Sequence, residues 1–212
     1  MTTQAVPGTL RSRRIARSRQ RLVEIALPAF AERGYDAVTV DWLCEQAEVS
    51  RRSFFRYFDG KEDLALTPLN DVWRTLIGEL DDVLAGSGPL LTVLGEALID
   101  VVEHMPPGWE HLAVLSARLS GRYPGVDAAG MLTCERFTEH VVGAIVARLD
   151  GAPGADLSAR VVCAVAVAGH RAAVDTWCSA PDAGTTATRE DLAALLRATL
   201  AAVPGALEIR LP

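Results

Sequence analysis

Residues 50 to 61 concentrate the groups best suited to binding a nucleic acid. Ser50 and Ser53 bracket the pair Arg51 and Arg52. Phe54, Phe55, Tyr57 and Phe58 follow, and then Lys61, the sole lysine of the chain. A guanidinium fork matches O6 and N7 of guanine, at about 1–3 kcal/mol of discrimination per good bidentate contact. On a helix, Phe54 and Phe58 share one face and can hold the segment to Leu43 and Val49. Phe55 points elsewhere, toward a thymine methyl or a sugar edge. Ser53 and Tyr57, four apart, place two hydroxyls on one side where a phosphate could sit. The alternative is that all four rings are core and both arginines solvated.

Such groups need a frame. Thr39 to Ala47 reads as a short helix, a three-residue turn follows, and Ser50 can cap the next helix. That is helix-turn-helix spacing, in which the first turn of the second helix meets the base edges. Arg51, Arg52 and Ser53 fill that turn. Asp59 and Glu62 read as a capping box for a fourth helix. Lys61 in its first turn opposes the helix dipole, and a phosphate held at that N-terminus would relieve this.

Charge supports a basic head. Up to Phe58 there are ten arginines against six carboxylates, although the whole chain carries −6. A solvated basic face is the bland alternative. No sustained period-two alternation occurs, so the chain reads as all-α. Nine helices are expected, near 12–33, 40–47, 51–57, 60–85, 89–105, 109–122, 126–149, 156–179 and 188–203. Glycine- and proline-rich breaks separate them, including one from Pro181 to Gly184. The expected domains are a loose tail (1–10), a DNA-binding head (11–60), a helical body (61–203) and a tail (204–212). No apolar run of about 18 residues and no leader pattern is seen, which points to the cytoplasm and away from a membrane. Cys44, Cys134, Cys163 and Cys178 form no CxxC pair and read as small buried residues; a redox sensor is the other reading. The pairs Glu103-His104, Glu110-His111 and Glu139-His140 are adjacent, so no Glu-x-x-His metal pair exists. Without phosphate loop or nucleophile elbow, we expect no enzyme, catalytic residue, metal or cofactor.

The stretches Leu22 to Ala26, Phe30 to Val40, Ser50 to Phe58 and Lys61 to Leu64 together resemble the TetR family of bacterial regulators. The resemblance implies a homodimer on a palindromic operator and a variable C-terminal domain that binds a small molecule, most simply a ligand-released repressor. It implies phosphate contacts from Thr39, Ser53, Tyr57 and Lys61, and base contacts from Arg51, Arg52 and Phe55 after the Ser50 cap. It also implies an arm from Arg11 to Arg19, with Arg17, reaching backbone or minor groove. A ligand-independent activator or architectural protein is the alternative. Two positions depart from the pattern. Glu48 stands where glycine is common in the turn, and Pro28 interrupts the first helix. The segment Arg118 to Gly125 is similar to a mycofactocin-regulator-like branch described as binding acyl-CoA-like ligands.

For the body, a mostly apolar chamber with a few polar groups is expected. Candidates are His104, Met105, Trp109, Arg118, Phe137, His170, Arg171 and Trp177, each also readable as ordinary core or surface. Ala164, Ala168 and Ala172, with Ala194, Ala198 and Ala201, place small residues along the last two long helices. The family resemblance makes those helices the dimer interface.

Overall fold

The computed structural model describes residues 10–150, 152–179, 187–206 and 208–209. Within them lie ten helices and no strand. The head holds α1 (Leu10–Arg33), α2 (Val40–Ala47) and α3 (Arg51–Tyr57). The body holds α4 (Lys61–Gly78), α5 (Leu80–Val83), α6 (Leu90–Glu103), α7 (Trp109–Arg122), α8 (Pro124–Arg148), α9 (Ala155–Ser179) and α10 (Arg189–Ala206).

The expected count of nine becomes ten because the helix read over 60–85 divides. Glu79, at φ −106° and ψ 4°, leaves helical geometry, closing α4 and opening α5. The apolar pattern runs across this break, so periodicity alone could not reveal it. The first tail lies outside the described residues apart from Leu10, which already belongs to α1; so does the Pro181–Gly184 break. Residues 204–206 are the last turn of α10, not tail. α10 opens as a reciprocal box: Thr188 Oγ1 accepts from the Asp191 amide, and Asp191 Oδ2 accepts from the Thr188 amide.

α1 buries Leu22, Val23, Ala26, Leu27 and Phe30, a stripe at intervals of one, three and four residues that faces the head core. Its first turns, 12 to 17, stay largely exposed, so the basic arm is helical. Pro28 does not end α1, which runs on to Arg33 and closes at Gly34 (φ 88°). The break expected there is thus limited to the hydrogen bond that the Glu24 carbonyl cannot receive.

No linker separates head and body. Leu43, Phe54 and Phe58 share a core with Leu64 and Leu66 of α4, Leu119 of α7 and Val126 of α8. Ser116 Oγ donates to the Ala65 carbonyl (2.6 Å) and Trp109 Nε1 to the Pro68 carbonyl (2.8 Å), tying α7 to α4. A second core joins α4, α6, α7, α9 and α10, and a third lies between α8, α9 and the α4–α6 end. Close approach of α6 and α10 needs Gly95, since a Cβ there would stand 2.6 Å from Leu200 Cδ1. α9 is long and apolar enough to cross a membrane by length and composition. In this fold its apolar character has another use: nine of its residues are buried, against α6, α7, α8 and α10.

Candidate nucleic-acid interface

α2 and α3 are short and depend on their caps. Thr39 Oγ1 accepts from the Trp42 amide (3.1 Å) and Ser50 Oγ from the Ser53 amide (3.1 Å), satisfying one orphan donor on each helix. The turn between them passes through Glu48, at φ 54° and ψ 42°. This left-handed position is the one where glycine costs least. Glu48 adopts it nonetheless, with its carboxylate accepting from Arg21 at 2.9 Å. Glu48→Gly should therefore stabilise the protein by about 1 kcal/mol in urea unfolding, as backbone strain outweighs one exposed ion pair. A lower midpoint would refute that ranking.

α3 divides its rings as its geometry requires. Phe54 and Phe58 are buried, whereas Phe55 is 51% exposed and meets Phe54 edge-on at 5.2 Å. The two core rings thereby fix α3 while its outer face carries Arg51, Arg52 and Phe55 to solvent. Arg52 has no ion-pair partner among the described residues. Arg51 has one: its Nη1 donates to both carboxylate oxygens of Asp41, at 2.7 and 2.9 Å. Asp41 was not singled out from the sequence. Its position two residues after the Thr39 cap was the available clue, since it points the first turn of α2 at the first turn of α3.

The hydroxyls are less free than their spacing implied. Ser50 Oγ donates to Ser53 Oγ (3.0 Å), and the Tyr57 hydroxyl accepts from Arg56 (2.9 Å). Thr39 and Arg17 are exposed. Around Lys61 the expected picture changes most. The cap of α4 is Gly60, without a side-chain bond, rather than Asp59. Asp63, not Glu62, reaches back, to the Asp59 amide (3.3 Å). Lys61 Nζ turns inward, donating to the Tyr35 and Val38 carbonyls at 2.7 Å each, with the Tyr35 ring 4.3 Å away. Burial lowers its pKa, against the raising influence of Asp36 and Glu62. The ammonium at the unfavourable end of the dipole is thus accounted for internally, by the corner between α1 and α2.

In the body, the ligand candidates separate. Met105, Trp109 and Trp177 are packed in the second core, where the two indoles stack at 6.1 Å. Arg118 and His104 are exposed. Phe137 borders a void of about 30 Å³ beside Trp73, enough for water only. His170 and Arg171 instead line a cleft of about 400 Å³ between α4, α7, α8 and α9, together with Asn70, Trp73 and Asp127. Asn70 was missed from the sequence, because one asparagine within a helix carries no local signal of burial. All four cysteines are free, and burial raises the pKa of each thiol, so none is poised as a thiolate. No cluster among the described residues could hold a metal.

These features can be set beside known proteins. Residues 22–67 match the family model of bacterial regulatory proteins of the tetR family, and residues 88–206 match the MftR C-terminal domain. The chain is 34% identical over 137 residues to the HTH-type transcriptional regulator TcmR of Streptomyces glaucescens, covering 65% of this chain and 54% of that protein. It is 32% identical over 92 residues to the HTH-type transcriptional repressor KstR2 of Mycolicibacterium smegmatis, covering 42% of this chain and 45% of that one. The alignments thus span about half the length of these curated relatives. Among solved structures, a transcriptional regulator from Rhodococcus sp. Rha1 overlays with a TM-score of 0.46 at 18% identity, covering 89% of this chain and 97% of that one. With one model placed on the helix-turn-helix head and the other on more than half of the chain, this protein belongs to the TetR family of bacterial transcriptional regulators and carries the MftR type of C-terminal domain.

Proposed function

We propose that the protein is a cytoplasmic repressor that binds a palindromic DNA operator as a homodimer and leaves it when a small molecule enters the body cleft. The observation that carries the DNA reading is the first turn of α3. Arg51, Arg52 and Phe55 stand exposed on a helix whose opposite face is pinned by Phe54 and Phe58. Thr39, Ser50, Ser53 and Tyr57 flank it as phosphate contacts, and Arg17 lies on the helical arm. Lys61 keeps one ammonium hydrogen for a phosphate but serves first as an internal tie.

Two heads must reach successive major grooves, which requires a second copy. α9 exposes Leu157 (68%) and Val161, then Ala164, Ala168 and Ala172, all at helical spacing. α10 exposes Ala194, Ala198 and Ala201 beside them, and an apolar groove runs between the two helices. Small side chains let two such pairs close face to face as a four-helix interface.

Release requires the cleft to act on head position. Ser120, Gly121 and Pro124 line the cleft, and Tyr123 lies among them in sequence. The Tyr123 hydroxyl accepts from the Tyr35 amide (3.3 Å) at the corner that also holds Lys61. A ligand that displaces the α7–α8 junction thereby moves the head, to the extent that it binds the two states unequally. An acyl-CoA-like effector is the reading suggested by the MftR type of body. The cleft weighs against a ligand-independent activator or architectural protein.

Operator duplexes selected from random sequence provide the test. Arg52→Ala should raise the operator Kd by about tenfold to a hundredfold and relax the preference at one base position per half-site. Unchanged affinity and preference would remove Arg52 from the reading surface.

A further inference from the structure

The cleft between α4, α7, α8 and α9 has a chemistry of its own, and assigning it a ligand rests on the proposal that the body is an effector site. Asn70 is only 4% exposed, lines the cleft, and its Nδ2 has no hydrogen-bond partner. An amide donor buried without a partner is costly, so such a group is an unfilled half of a contact. Across from it, His170 is 6% exposed and set edge-on against Trp73 at 5.0 Å. Burial lowers its pKa to about 4, so the ring is neutral near pH 7. Leu66, Leu69, Met131 and Val174 supply apolar wall. At the rim, Arg171 pairs with Asp127 (3.6 Å), and Asp175 adds a second carboxylate. No spare cation among the described residues therefore lines the cleft to receive a carboxylate or phosphate.

We propose that this cleft takes an uncharged, largely apolar small molecule whose one buried oxygen acceptor receives the Asn70 Nδ2 hydrogen. The volume, about 400 Å³, lies within the usual range for small-molecule sites. Asn70 sets specificity: a ligand lacking the acceptor leaves the amide unpaired, which discriminates more strongly than a change in apolar size.

Three probes of similar shape test this by calorimetry on the full chain without DNA: benzophenone, diphenylmethane and 4-benzoylbenzoate. Benzophenone should bind at least tenfold more tightly than either of the others. In Asn70→Leu the ketone should lose that advantage over diphenylmethane, while the ligand-free variant melts at a higher temperature than the parent. Asn70→Asp, of nearly equal size, should also lose the ketone preference. The proposal is overturned if benzophenone does not bind, or if diphenylmethane binds equally well and a water satisfies Asn70. Tighter binding of 4-benzoylbenzoate or of decanoyl-CoA would also overturn it and favour an anionic ligand. Operator binding by the ligand-free parent is measured separately. If it is intact while benzophenone fails, only this inference falls; if no operator is bound at all, the regulator reading falls with it.

Discussion

Ala168→Glu is expected to convert the dimer to a monomer and to weaken operator binding by about a hundredfold or more. Ala168 is exposed on α9 and lines the apolar groove shared with Ala172, Ala198 and Ala202. In the proposed dimer this groove faces its own copy across a two-fold axis. A glutamate there would enter an apolar seam and meet the same charge from the partner, and the described part of the groove holds no lysine or arginine to pair it. Losing the interface removes the effective concentration that lets one bound head recruit the other, which by itself is worth about 10²–10⁴ in apparent affinity. Sedimentation velocity and operator titration on the same preparation read both effects. Ala85→Glu, an equally exposed alanine beyond α5, is the control and should change neither. If Ala168→Glu remained dimeric with unaltered operator affinity, the groove would not be the interface.

Lys61→Met should cost about 2–4 kcal/mol of stability, because two charge-assisted bonds to carbonyls vanish, each contributing roughly 1.5–3 kcal/mol, with partial return from the desolvation no longer incurred. Methionine preserves most of the stem, so the loss is chiefly of the ammonium. The Tyr35 and Val38 carbonyls lose their donor, and the corner that seats α2 against α1 loosens. Urea unfolding and the salt dependence of operator binding separate this from a DNA contact. An internal tie predicts a lower unfolding midpoint. A pure phosphate contact predicts unchanged stability and a salt slope shallower by about one. The second outcome would restore the phosphate role that the sequence pattern implies.

These two cases show where sequence reading stops. The caps Thr39 and Ser50 bond to amides three residues on, and Phe54 and Phe58 share a face because they are four apart. Relations of that length are set by the helix itself, so the helix-turn-helix and the outward face of α3 could be read directly. The left-handed turn at Glu48 was also legible, since turn geometry is local. Lys61 was read correctly as a cation needing a partner. Its partners lie 23 and 26 residues back, and no periodicity points there. The division at Glu79 escaped for the converse reason: the apolar pattern continues although the backbone does not.

By itself, then, the sequence determined the all-α class, the positions of most helices and the chemistry of the head, because caps, period and turn preferences act over three or four residues. Only the tertiary structure decided which polar groups meet. It drew Arg51 to Asp41, carried the Tyr123 hydroxyl to the Tyr35 amide 88 residues away, packed Trp109 on Trp177, and set Asn70 in one cleft with His170. Such pairs depend on how helices cross, and burial is a property of that packing rather than of any single helix.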